Sequence, residues 1–230
     1  NSAAGLITAN SLSFNTTGIS MDNSATAFIS GNTLNYGTTA IVYKHPATAS
    51  PILPVINNNS ILNFTSFQLS ATSLSNASRS RIDAKNNWWG TTNISQISIQ
   101  DYSDNNIYPS VDFSGFLSAA NGTPVPGEVH SGFVSANTTW RKLNNPHTLV
   151  GHVTIDPGVT LTVEAGVSAY FEGLYYLKAL GTLLAQGTGT DRIIFNQART
   201  GVTWDKIDLT NSNASRVTYS DIEYAKSGIY

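Results

Sequence analysis

The fold turns on the stretch Ile7-Thr-Ala-Asn10-Ser-Leu12, because it recurs down the chain. It returns as Ile29-Ser-Gly-Asn32-Thr-Leu34 and again as Ile56-Asn-Asn-Asn59-Ser-Ile61. Ile82-Asp-Ala-Lys-Asn86-Asn-Trp88 ends the run at a similar interval, with one residue inserted. Phe14 and Gly18-Ile19 follow the first copy, Tyr36 and Ala40-Ile41 the second, while Phe64 has slipped by one place. A β-branched residue, small polar residues, Asn and an aliphatic at this interval predict one turn of a β-solenoid per copy. In each turn alternate side chains face inward and the small polar ones face out. Asn accepts a left-handed corner and can bond the Asn of the next coil. Asn10, Asn32, Asn59 and Asn86 are therefore expected to form a ladder. The predicted fold is all-β: a right-handed parallel β-helix with coils of about 20–27 residues, open at both ends. A leucine-rich repeat would need a helix-compatible half, which this repeat lacks.

The second half has the same style with less regularity. Val153-Thr-Ile155-Asp-Pro-Gly158-Val-Thr-Leu161-Thr-Val163-Glu-Ala-Gly166-Val167 alternates apolar and polar residues between Gly turns, the pattern of successive short strands. Leu177 to Ala185, Arg192 to Phe195 and Val217 to Tyr224 continue it. Between the halves, Asp101-Tyr-Ser-Asp104-Asn-Asn and Asn121-Gly-Thr-Pro-Val-Pro-Gly127 are punctuated by turn residues. The expected organisation is coils over 1–92, an irregular connector over 93–127, and further coils over 128–230.

Composition agrees with strands and turns. Charged residues make up 11% and apolar residues 40% of the chain; amphipathic helices would need more Glu, Lys and Arg. A net charge of −2 without a basic block argues against a nucleic-acid surface. No apolar run approaches the roughly 20 residues of a membrane-spanning helix, so no membrane span is expected. Cysteine is absent, which excludes disulfides and thiolate metal sites. Eight Asn-x-Ser/Thr sequons, at Asn15, Asn58, Asn63, Asn76, Asn93, Asn121, Asn137 and Asn213, lean toward an extracellular or cell-surface chain with N-glycosylation.

The two ends match each other. Val217-Thr-Tyr-Ser220-Asp-Ile222-Glu-Tyr224-Ala-Lys-Ser-Gly228-Ile229 superimposes on Ile7 to Ile19, apolar on apolar and Gly on Gly, with Ser220 over Asn10. Joining Tyr230 to Asn1 would set the two segments one coil apart, an offset of about 20 residues. The expected partner is another copy of the same chain, the C-terminal coil Val217–Tyr230 meeting the N-terminal coil Asn1–Ile19. A module would then run from about 128 to 230 and on through about 1–117 of the next copy. Such a contact does not close, so it generates a filament.

Lys85-Asn86-Asn87-Trp88-Trp89-Gly90 followed by Val111-Asp-Phe-Ser-Gly-Phe-Leu117 resembles the closing segment of right-handed parallel β-helix surface proteins of bacteria and archaea. Thr139-Trp140 through Val167, with Leu180-Gly-Thr-Leu183 and Ile194-Phe195, is similar to the opening segment of such modules. The resemblance implies a surface or adhesive role, and that Trp88 and Trp89 close the core. Neighbours on a strand point opposite ways, so one of the pair plugs the core and the other covers a face.

Signals for chemistry are thin. Polysaccharide lyases on this fold need clustered acids with an Arg or Lys base, and hydrolases need carboxylates about 5–9.5 Å apart. Asp83 is isolated, and Asp221 with Glu223 near Arg216 and Lys226 reads as a solvated charge pair. His45, His130, His147 and His152 show no metal-ligand spacing. Asp101 and Asp104, with Asn105 and Asn106, offer oxygens of the kind Ca²⁺ takes, without a full calcium-loop pattern. No cofactor is expected, and the leading expectation is a non-enzymatic structural protein, a solenoid subunit of a filament, sheath or adhesive fibre. The alternative is a carbohydrate-binding or polysaccharide-cleaving β-helix, which would take glycans as partners. Ice binding fails because Thr8, Ser30 and Asn57 do not keep a Thr register.

Overall fold

The computed structural model describes residues 5–22, 27–46 and 51–230. The chain is nearly all β, with parallel sheets stacked as a β-solenoid of about 8 turns. It divides into two compact units, Asn1–Val125 and Pro126–Tyr230.

The first unit contains β1 (Gly5–Thr8), β2 (Ser11–Met21), β3 (Ala27–Ser30), β4 (Thr33–His45), β5 (Val55–Asn57), β6 (Ser60–Ser73), β7 (Arg81–Asp83), β8 (Ile99–Gln100) and β9 (Ser110–Asp112). They form two parallel sheets, β1-β3-β5-β7-β9 and β2-β4-β6-β8. Register stacks like on like: Ile7 on Ile29 on Ile56, Leu12 on Leu34 on Ile61, and Ile19 on Ile41 on Leu69. From the second coil onward these side chains are fully buried, each stabilising by roughly 1.5–3 kcal/mol. A further row, Met21–Tyr43–Ala71, sets a bulky ring between a flexible and a small neighbour.

Two corners per coil hold left-handed residues. The first corner is occupied in turn by Ala9, Gly31, Asn58 and Asn86, all at φ between 55 and 68°. The second is occupied by Phe14, Tyr36 and Asn63. This explains the slipped Phe64: Asn63 takes the corner, and Phe64 lies opposite Gly37. A Cβ on Gly37 would stand 2.1 Å from the Asn15 carbonyl oxygen and 2.9 Å from the Phe64 ring, so only Gly allows this approach.

The fourth coil corrects the sequence alignment. Val55 pairs with Asp83 and Ser60 with Trp88, so Ala84 and not Ile82 follows Ile56. No residue is inserted: Ala84-Lys-Asn86-Asn87-Trp88-Trp89 matches Ile56 to Ile61 position for position.

The stretch 93–127 is also not a mere connector. β8 continues one sheet on β6, and β9 continues the other on β7 with Arg81 opposite Ser110 and Ile82 opposite Val111. Gln68 fastens it, accepting from the Ser98 N–H at 2.8 Å while its amide donates to the Trp89 carbonyl. Strands as short as β8 and β9 cannot show alternation in sequence. The coils therefore extend well past residue 92.

The second unit contains β10 (Glu128–Val134), β11 (Thr138–Trp140), β12 (His147–Ile155), β13 (Thr160–Val163), β14 (Ser168–Phe171), β15 (Leu177–Ala179), β16 (Thr182–Gln186), β17 (Ile193–Gln197), β18 (Ile207–Asp208), β19 (Arg216–Thr218) and β20 (Ser220–Ile222). β12 serves two rows: its first half pairs with β14 and its second half with β15. β10 follows it along both halves through an irregularity between His130 and Gly132. β11-β13-β16-β19 forms the other sheet. Coil lengths leave the expected range in both directions: the step from Glu128 to His147 falls just short of it, and that from Leu184 to Arg216 runs well beyond it. The core centres on Leu149, Leu161, Leu183, Phe171, Phe195 and Trp204. Phe171 and Trp204 stack at 4.1 Å, and the indole N–H donates to the Glu223 carbonyl at 2.7 Å.

Candidate functional site

Three features concentrate polar or aromatic groups: the asparagine ladder, the tryptophan end of the first unit, and a histidine–glutamate cluster in the second.

The ladder runs through Asn10, Asn32, Asn59 and Asn87. At each step the carboxamide oxygen of the later Asn accepts from both the backbone N–H and the side-chain amide of the earlier one, at 2.9–3.0 Å. Each side-chain amide also donates to nearby carbonyls; Asn59 reaches those of Ile29 and Asn57. Asn32, Asn59 and Asn87 are almost wholly buried, so the polar atoms they bring inside find partners in the stack. The fourth rung is Asn87, and Asn86 is displaced from the predicted role to the left-handed corner before it. Corner and rung are thus separate jobs held by consecutive residues, not one Asn doing both. Among the described residues no donor reaches the Asn10 side-chain oxygen.

The same shift assigns the tryptophans. Trp89 takes the inward position of Leu12, Leu34 and Ile61 and is buried, while Trp88 is half-buried on the other side of the strand. Phe113 meets the Trp89 ring edge-on at 6.4 Å, and Phe116 lies 6.3 Å beyond Phe113.

The third cluster was invisible to spacing rules. On β10, Glu128 and His130 share a strand face by alternation, and the register of β10 on β12 sets His147 opposite Glu128. His130 Nε2 lies 3.0 Å from His147 Nδ1. The Glu128 carboxylate lies 3.8 Å from the first ring and 3.5 Å from the second. Trp140 stacks on both imidazoles, at 4.4 and 5.4 Å. His147 is completely buried, and burial lowers its pKa below the usual imidazole range, against the Arg141 carbonyl, Glu128 and Glu164. The other two histidines are elsewhere. His45 bonds the Ser80 hydroxyl, and His152 stacks on Tyr176 at 4.0 Å, its pKa lowered by burial against the pull of Asp205.

Asp101 and Asp104 turn their oxygens on their own loop. Asp101 accepts from the N–H groups of Ser103 and Val111, and Asp104 from that of Asp101. Burial pushes the Asp101 carboxyl up to about 6, against those hydrogen bonds. Asp83 accepts from the Lys85 N–H. Asp221 pairs with Arg192 of the preceding coil, and Glu223 accepts from Asn196. Arg216, expected beside Asp221, donates instead to the carbonyls of Asn213 and Ser215.

All eight sequon asparagines, at 15, 58, 63, 76, 93, 121, 137 and 213, are exposed. Asn76 and Asn93 also accept from backbone N–H groups in turns, Asn137 accepts from the Thr160 N–H of β13, and Asn63 donates to Asn35. Of the end coils, residues 1–4 lie outside the described residues. In the rest, Leu6, Phe14, Tyr219, Tyr224, Ile229 and Tyr230 are exposed apolar or aromatic side chains. Among the described residues no helix is long and apolar enough to cross a membrane.

No family model matches the chain, and no solved structure matches it. A curated protein of Drosophila melanogaster, "Protein bark beetle", is 28% identical over 143 residues, covering 55% of this chain and 5% of that protein. The chain thus spans a small fraction of the length of the curated relative it matches.

Proposed function

We propose that this chain is a structural, extracellular β-solenoid that extends by coil-on-coil stacking of like copies, in the manner of the bacterial and archaeal surface β-helix proteins its Asn-Asn-Trp-Trp-Gly segment resembles. The copies are joined covalently in tandem or as separate chains, and the product is a stiff rod of filament, sheath or adhesive type. The exposed sequons suit a glycosylated surface.

One observation carries this reading. Tyr219 and Tyr224 are left-handed, at the same spacing as the left-handed Ala9 and Phe14. The sequence match between the two ends puts Tyr219 on Ala9 and Tyr224 on Phe14, so the last coil has the corner geometry of the first. Ser220 then falls at the rung position beside Asn10, whose side-chain oxygen is open to a donor from a preceding coil. The exposed Phe14 and Tyr36 rings stack at 5.1 Å and 5°, and Tyr224 would extend that column.

The test is a two-copy polypeptide joined directly, Tyr230 to Asn1. Amides of β20, β1 and β2 at the junction should exchange far more slowly than in the single copy, and electron microscopy of longer arrays should show an axial repeat. With coils about 4.8 Å apart, eight or nine coils give roughly 40–45 Å for coaxial stacking. Equal exchange at the junction and at free ends sinks the proposal.

A second reading, carbohydrate binding, has the same Phe14–Tyr36 platform in its favour, since stacked exposed rings suit sugar faces. Loss of glycan retention in Phe14→Ala and Tyr36→Ala would support it.

A further inference from the structure

The histidine–glutamate cluster bridges β10 and β12, and the proposed function makes no use of it. We propose that Glu128, His130 and His147 bind a divalent transition-metal ion of the zinc class, through Glu128 Oε2, His130 Nε2 and His147 Nδ1.

The three donor atoms lie within 4.8 Å of one another, with separations of 3.0, 3.5 and 3.8 Å. A tetrahedral Zn²⁺ with bonds of about 2.0–2.1 Å holds its ligand atoms roughly 3.4 Å apart. Shifts of a few tenths of an ångström therefore make the site. The protonation pattern is already set for it. His147 Nε2 lies 2.9 Å from the Arg141 carbonyl oxygen, an acceptor only, so Nε2 carries the hydrogen. That leaves the Nδ1 lone pair aimed at the cluster. A ligating imidazole whose other N–H is held by a backbone carbonyl is the usual outer-shell arrangement.

Glu128 is oriented in the same manner, its second oxygen accepting from the Asn144 side chain at 2.7 Å. Trp140, buried and stacked on both rings, holds the imidazole planes. On binding, the hydrogen that His130 Nε2 donates to His147 Nδ1 gives way to the metal, and neutral His130 carries its one ring hydrogen on Nδ1 instead. Two imidazoles and one carboxylate favour Zn²⁺ and its first-row neighbours over Ca²⁺ or Mg²⁺. Three protein ligands leave a fourth position for water. The ion would clamp β10, which among the described residues pairs only with β12, to the coil beneath it.

The experiment titrates chelator-treated full chain with ZnCl2 by calorimetry, and with Co²⁺ by visible absorption. One Zn²⁺ per chain is expected, with intense low-coordinate Co²⁺ bands. A hundredfold excess over Kd should raise the melting temperature by about 5 °C or more. Glu128→Gln and His130→Gln, both at partly exposed positions, should each weaken binding at least tenfold while circular dichroism shows the fold intact. The His45→Gln/His152→Gln double variant should bind as the parent does. Absence of saturable binding at millimolar Zn²⁺, unchanged affinity in both cluster variants, or loss of binding in the His45/His152 double variant each overturns the proposal.

Discussion

The two units solve one problem with different materials. In the first, consecutive coils are held in step by a buried polar column, Asn32–Asn59–Asn87, in which each carboxamide bonds the next. In the second, the column is aromatic and aliphatic, with Phe171 on Trp204 and Leu161 on Leu183. Polar fixings there do not form a like-on-like ladder, as where Asn145 accepts from Ser168 and donates to Gly166, or Ser215 accepts from Leu183. A hydrogen-bonded ladder demands the same residue in every coil and so writes a period into the sequence. An apolar column accepts any side chain that fills the space, and leaves a fainter trace.

That contrast can be broken most forcefully in the second unit. Trp204→Ala should cost about 3–5 kcal/mol, since it removes a fully buried indole and its stack. Denaturant titration gives the size, and hydrogen exchange should show protection lost first around β14 and β17. A cost below about 1 kcal/mol would mean the aromatic column is dispensable.

Asn59→Ala should follow at about 3–4 kcal/mol, because it removes the oxygen that accepts from the Asn32 backbone and side-chain N–H groups, one of the two bonds accepted by Asn87, and the donor to the Ile29 and Asn57 carbonyls. Asn10→Ala, at the exposed end, should cost no more than about 1 kcal/mol. Equal costs for the two would show that the ladder is not cooperative.

Asp101 offers a pH readout within the first unit. Its folded carboxyl is pushed up to about 6 from an ordinary 3.8, so the folded state holds the proton more tightly than the unfolded one. The stability it contributes is present below about pH 4 and is lost as pH rises toward 6, by up to about 3 kcal/mol. Asp101→Asn should flatten that decline, measured as denaturation midpoints between about pH 4 and 7. A slope that survives the substitution would assign it to another group.

The smallest effect belongs to the corner. Ala9 sits at φ 56° where the next coil has Gly31, so Ala9→Gly should stabilise by about 0.5–1 kcal/mol, while Gly31→Ala should destabilise by about 1 kcal/mol. Melting temperatures that move the other way would remove the strain argument.

How far the sequence could be read follows from the same contrast. Ile7, Ile29 and Ile56 announce the solenoid because a β-branched residue recurs three places before an Asn. The fourth copy misleads, since Ala84 gives little hydrophobic signal and Ile82, two places earlier, draws the alignment. That one substitution moved the rung to Asn86 and left the inward tryptophan undecided. Residues 93–117 read as irregular because their coil is pinned by Gln68 and Asp101, not by alternation. The Glu128–His130–His147 cluster joins residues from successive coils, so no local motif contains it. The usable hint was the alternation of Glu128 and His130 with a third donor about one coil later.

The split between corner and rung has a consequence for the surface. Asn58 and Asn63, both sequon residues, sit at the two left-handed corners of one coil and are exposed, while Asn59 beside the first is locked inside. The coil is keyed from within, so its outer corners ask only for a residue that tolerates positive φ. A sugar chain or a changed side chain there would redecorate the exterior and leave the stacking of coils untouched.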